Sequence, residues 1–202
     1  LDKPQASGES SDQYAIDLET TSGSASRWDN AVGAGVMNYG DRSDNDKRCL
    51  TYTTEPLPAD VNVTGHPVAT LFVESTASDG DFYVLLEEVD EDGKSHYVTE
   101  GVLRASHRVT SDAPWNNLGL PYQRSFEQDK QGLESGVVTK LEMDLHPVSN
   151  IFNEGHRLRI AIMCADKDNT EAPPVSPDTT ITLHRSDEHP SSIVLPVVGG
   201  SE

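Results

Sequence analysis

The sequence predicts an all-β fold: an antiparallel two-sheet β-sandwich of the jelly-roll type, with little helix. Three observations predict it. From residue 49 onward about eight to ten short β-prone runs alternate with turn residues. No segment sustains an i, i+3, i+4 apolar stripe over ten residues, which excludes long amphipathic helices. A chain of 202 residues suits one sandwich or at most two small domains, and buries roughly two-thirds of its unfolded surface without disulfides.

Each element follows from its pattern. Residues 1–48 are rich in Ser, Asp, Gly and Asn and read as an arm leading into a sandwich at 49–202. One short strand is allowed there, where Tyr14, Ile16 and Leu18 alternate with polar or small residues. The polar stretch 40–47 is expected in solvent. Residues 49–54 form a strand stopped by Glu55-Pro56, and 68–74 is apolar on both parities, as in a strand buried on both faces. Residues 81–104 form a hairpin around Asp90-Glu91-Asp92-Gly93, where Gly93 is free to take positive φ. Glu87-Glu88 and the acids at 90–92 are expected on a solvated turn. Residues 111–134 carry Pro114, Gly119, Pro121 and Gly132 and read as a long functional or packing loop. At 137–145, Val137, Thr139, Leu141, Met143 and Leu145 face one way and Lys140, Glu142 and Asp144 the other. Residues 149–155 are expected as a turn. A strand follows at 156–163, with Leu158, Ile160 and Ile162 inward and Arg157 and Arg159 outward. A second long loop spans 165–178, before final strands at 179–184 and 192–198.

Charge excludes some functions. With 34 acidic and 15 basic side chains the net charge is −19, which repels nucleic-acid phosphates. No run reaches the ~18 apolar residues of a membrane helix. The chain starts at Leu1 without a signal-peptide core, as expected of a fragment, and two cysteines suit either a bacterial cytoplasmic or an exported soluble protein.

Catalytic motifs are scarce. Gly-x-Ser-x-Gly is missing; Gly23-Ser24-Ala25-Ser26-Arg27 fails at its fifth position. No phosphate loop or Gly-x-Gly-x-x-Gly is present, and no cofactor is implied. Asp79 and Asp81 before a strand are calcium candidates, as are Asp166, Asp168 and Asn169 in a loop, against the plainer reading of Asp-rich turns. His184, Asp187 and His189 are the one histidine cluster, with spacing unusual for a metal pair. Trp28, Trp115, Tyr122 and Phe126 fall in predicted loops, either as interface anchors or sugar platforms, or buried against a sheet. Cys49 and Cys164 fall in predicted strands, and their pairing stays open.

Several stretches in order carry a family resemblance. They are Leu50-Thr51-Tyr52-Thr53-Thr54-Glu55-Pro56-Leu57, Val63-Thr64-Gly65-His66-Pro67, Ser78-Asp79-Gly80-Asp81-Phe82 and Glu100-Gly101-Val102-Leu103-Arg104. Asp92-Gly93, Ser149-Asn150-Ile151-Phe152-Asn153-Glu154-Gly155-His156-Arg157-Leu158-Arg159-Ile160 and His189-Pro190-Ser191-Ser192-Ile193-Val194-Leu195-Pro196-Val197 complete the set. From about residue 49 to its end the chain resembles the C-terminal domain of the CocE/NonD hydrolases, which include cocaine esterase, α-amino acid ester hydrolases and X-Pro dipeptidyl-peptidases. The resemblance implies a galactose-binding-like jelly roll, non-catalytic, following an α/β-hydrolase domain and a helical cap that are its partners. It implies walling of an active site, and oligomer contacts. The family's catalytic Ser, Asp and His find no counterpart here. The rival expectation is a free-standing carbohydrate- or calcium-binding module; a weaker one is an enzyme using His184, Asp187 and His189.

Overall fold

The computed structural model describes residues 11–31, 33, 36–171 and 175–199. In chain order the elements are β1 (Ser11–Ala15), α1 (Arg27–Ala31), α2 (Ser43–Asp46), β2 (Leu50–Thr53), β3 (Val61–Gly65), β4 (Val68–Ser75), β5 (Asp81–Val89), β6 (Ser95–Arg104), β7 (Thr139–Asp144), β8 (Val148–Phe152), β9 (Arg157–Met163), β10 (Thr180–His184) and β11 (Ser192–Val194). All pairings between these strands are antiparallel. The first sheet runs β1-β10-β4-β11 with β7 on the other edge of β4; the second runs β2-β9-β5-β6; β3 and β8 form a small third pair. The fold is the expected all-β sandwich.

Alternation on each strand builds the core. Ala69, Leu71 and Val73 of β4 and Leu141 and Met143 of β7 point from the first sheet into it. Phe82, Val84 and Leu86 of β5 and Ile162 of β9 meet them from the second. Val63 and Phe152, from the small pair, belong to the same cluster. Residues 149–152, expected in a turn, extend as β8 because β3 gives their backbone a partner; only Glu154 and Gly155 turn. β4 is not buried on both faces: its even-numbered residues stay half-exposed. Val137, expected to begin a strand, is exposed outside β7. The hairpin between β5 and β6 closes as expected: Gly93 has φ +83°, and Asp90 Oδ1 accepts from the amides of Asp92 and Lys94. Gly101 fits close packing, since a Cβ there would lie 2.7 Å from the Asp144 carbonyl oxygen.

The second sheet is buried on both faces. All nine residues of β5 are buried, and Tyr83, Leu85, Ala161 and Met163 form a second apolar cluster on its outer side. The cover is residues 20–31 and 36–48, a strap crossing that face. The packing therefore does not divide at Cys49: β1 is a strand of the first sheet and the strap roofs the second. Arg42 lies in the stretch expected in solvent, yet it is 0% exposed and its Nε donates to Glu87 Oε1 at 2.7 Å. Glu87 is also 0% exposed, and Glu88 is buried, where a solvated turn was expected. Glu88 Oε1 accepts from the backbone and side chain of Asn153 and lies 2.8 Å from His156 Nδ1. Buried Asp46 accepts from Ser95 Oγ at 2.5 Å and Arg159 Nη1 at 2.6 Å, so Arg159 pairs within the chain. The register of β6 shifts against β5 between Leu86 and Glu87, which turns both Tyr97 and Glu100 outward. Tyr39 of the strap uses both. Its ring stacks on Tyr97 at 3.7 Å, and its hydroxyl donates to Glu100 at 2.8 Å.

A buried ion pair is costly to break, because the surviving charge stays buried. Arg42→Met should destabilise by about 3–5 kcal/mol in urea denaturation, and adding Glu87→Leu should recover most of that loss. Burial, then the Asp46 carboxylate, push Glu87 up to about 7 against the pull of Arg42. A folded-state pKa above the unfolded value means that the folded chain holds the proton more tightly. Glu87's contribution is then full below about pH 4.5 and is lost as pH rises through about 7. Glu87→Gln should flatten the fall in stability across that window; a fall of unchanged slope contradicts this.

Candidate functional site

The strap roofs the second sheet, and no described element crosses the outer face of the first. On β4 the outward residues are Val68, Thr70, Phe72 and Glu74. Register sets Lys140, Glu142 and Asp144 of β7 along one side. Thr182 and His184 of β10 and Ser192 and Val194 of β11 lie along the other. Polar side chains outnumber apolar ones on this face, with Val68 and Phe72 on its central strand.

One margin gathers aromatic and imidazole rings. The Phe72 and His189 rings are 5.4 Å apart and those of His184 and His189 5.7 Å, while His184 Nε2 lies 2.7 Å from Glu74 Oε1. Two of the three predicted cluster members thus meet; Asp187 is exposed on the intervening turn, and Glu74 supplies the acid instead. Sequence reasoning missed Glu74 and Phe72, because their closeness to His184 depends on the β4–β10 register.

The opposite margin carries the long loop after β6. Gln123 Nε2 donates to the Glu142 carbonyl at 2.7 Å, and the Ser111 amide donates to the Tyr122 carbonyl at 2.8 Å. Val68, Tyr122 and Glu142 line a shallow hollow of about 230 Å³ between loop and sheet. Trp115 meets Tyr122 edge-on at 5.0 Å and is 58% exposed; Phe126 is 55% and Leu118 77% exposed. Leu118 and Ser125 hold φ near +60°, where a side chain costs roughly 1–2 kcal/mol. Trp115 and Phe126 lie outside both apolar clusters. Trp115 and Tyr122 thus meet, while Phe126 packs against the Arg124 guanidinium at 5.4 Å. Trp28 does not join them: it is half-buried in the strap, its ring 6.2 Å from His146.

The remaining predicted ligands have partners. Asp81 holds Arg104 through both oxygens at 2.7 and 2.8 Å, and Asp79 Oδ1 accepts from the Gly80 and Ser106 amides. Asp166 accepts from the Ser22 amide and hydroxyl and from Asn169, and Asp168 accepts from Thr21. The start of the second long loop thus fastens the strap. Among the described residues no three His, Cys, Asp or Glu side chains converge as a metal site. Cys49 and Cys164 are free, one among the strap-side cluster and one in the inter-sheet core. Burial pushes the Cys49 thiol up to about 12.

The sequence matches the family described as the X-Pro dipeptidyl-peptidase C-terminal non-catalytic domain over residues 5–194, strap included. The chain belongs to that family. It is 44% identical over 191 residues to a Mycobacterium tuberculosis protein named as a serine esterase, covering 93% of this chain and 30% of that protein. It is 29% identical over 185 residues to the cocaine esterase of a Rhodococcus species, covering 82% of this chain and 29% of the esterase. This family member thus spans about 30% of the length of those curated relatives. In fold it is similar to an α-amino acid ester hydrolase structure, with a TM-score of 0.71 at 22% identity, covering 97% of this chain and 34% of that one. An aminopeptidase structure from a marine sediment Thaumarchaeota archaeon gives 0.68 at 20% identity, covering 98% and 34%.

A side chain that touches little else contributes little to folding. Trp115→Ala should shift the unfolding free energy by no more than about 0.5 kcal/mol, measured by urea denaturation. A loss above about 2 kcal/mol would place Trp115 in the core.

Proposed function

We propose that this domain serves a serine hydrolase of the CocE/NonD type by docking the open face of its first sheet against the α/β-hydrolase and cap domains. The long loop at 111–126 walls the mouth of the active site. The acyl-enzyme chemistry belongs to the hydrolase domain; this chain supplies shape and position. The observation that carries the reading is the asymmetry of the two sheets. One is sealed by the chain's own strap, while the other is uncovered and flanked by exposed Trp115, Phe126 and, on β11, Val194 at 67% exposure. Exposed apolar groups beside a polar face are typical of an interface. Ester substrates are favoured over X-Pro peptides, since two matched relatives are named as esterases. In this reading His184, Glu74 and Phe72 face the hydrolase side and shape the approach of substrate.

The intact protein tests this. Val194→Asp together with Trp115→Asp should lower kcat/KM for ester hydrolysis at least tenfold. Val36→Asp, on the strap at 86% exposure, should leave it unchanged. Equal effects at both places, or an effect at Val36 alone, would contradict the docking face.

A further inference from the structure

The two edges of β4 are bordered differently. β7 runs unbroken along one edge from Val68 to Val73. Along the other, two strands follow one another: β10 pairs with residues 72–75 and β11 with residues 68–70. Between them the chain leaves the ladder in a turn closed by the Arg185–Pro190 bridge. Leu71 lies opposite this break. The amide of Phe72 donates to Ser191 Oγ at 2.8 Å, so a side-chain hydroxyl replaces the missing backbone acceptor.

Beneath the break the two sheets leave a cavity of about 220 Å³. Leu71, Val84, Ile160, Ile162, Leu183 and Ile193 wall it. Protein interiors pack at crystal-like density, with few voids larger than a water molecule. An apolar cavity of about 150 Å³ stays dry and accepts benzene or xenon, so this one is ample for a ring. Its polar lining is already engaged. The Tyr52 hydroxyl donates to Asp12 at 2.6 Å, Arg185 holds the same carboxylate through Nε at 2.6 Å and Nη2 at 3.1 Å, and Ser191 serves Phe72. A water inside needs two to four polar partners. The Tyr52, Arg185 and Ser191 side chains at the wall are each held by a protein partner, and the six apolar side chains named above offer none. The cationic group at the cavity is balanced by Asp12, so a ligand carboxylate gains no counter-ion there.

We propose that this cavity is a binding site for a small neutral apolar molecule, the size of one aromatic ring or a short branched alkyl group, admitted through the break between β10 and β11. The cavity lies between the sheets and not on the open face; access to it in the intact protein rests on the docking reading leaving the β10–β11 break open. A ligand seated there touches β4, β5, β9, β10 and β11 at once and stabilises the folded state by mass action.

Fluorobenzene is the probe, followed by fluorine NMR and thermal unfolding with the intact protein. Saturable binding and an unfolding midpoint that rises with probe concentration are expected. Ala69→Leu and Ile193→Phe both place carbon atoms in the cavity, and each variant that folds should bind at least tenfold more weakly. Trp115→Ala, on the outer loop, should bind as the parent does. Benzoate should bind at least tenfold more weakly than fluorobenzene. The proposal fails if no saturable binding is seen, if the folded cavity-filling variants bind unchanged, if Trp115→Ala abolishes binding, or if benzoate binds equally well.

Discussion

The contact between Arg42 and Glu87 is the constraint on which the rest of the domain depends. β5 is apolar on both parities, so its sheet needs cover on two sides. The first sheet covers one side. The other carries Tyr83, Leu85 and Met163, but also two buried carboxylates, Glu87 and Glu100, which no apolar layer could cover without leaving charge unpaired. The strap answers both demands. Arg42 meets Glu87, Tyr39 meets Glu100, and Asp46 meets Arg159 and Ser95. This polar interlayer fixes where the strap crosses the sheet, since a displacement of one residue would separate each of these pairs.

Sealing one sheet gives the molecule a direction. The first sheet keeps an open, largely polar face, and both long loops follow from that division. Residues 165–171 turn toward the strap and fasten it through Asp166 and Asp168. Residues 111–126 turn toward the open face, tied to β7 through Gln123, and present Trp115 and Phe126 to solvent.

Strict alternation made the framework legible in the sequence. β7 reads directly from Leu141 and Met143 against Lys140 and Glu142, and the β5–β6 hairpin from Asp90 to Gly93. The strap was not legible, because its cover comes from polar side chains with no period. A polar run such as 40–47 looks solvated until its partners are known. A signal did exist: Glu87 falls on the same parity as Tyr83 and Leu85, in a strand too apolar to face water. A carboxylate in that position calls for a cation from elsewhere in the chain. β3 and β8 were missed for a related reason, since each is short and forms only when the other pairs with it. The open-face cluster of Phe72, Glu74, His184 and His189 depends on register between distant strands, which composition does not encode. The aromatic loop was legible in its residues, but its place beside the open sheet was not.

Hydroxyl-radical footprinting of the intact protein, compared with the 202-residue chain alone, tests the division of faces most directly. Trp115 and Phe126 should lose reactivity in the intact protein while Met37, on the strap, keeps it. Protection of Met37 with Trp115 and Phe126 still fully reactive would contradict it, and would place the rest of the protein on the strap side.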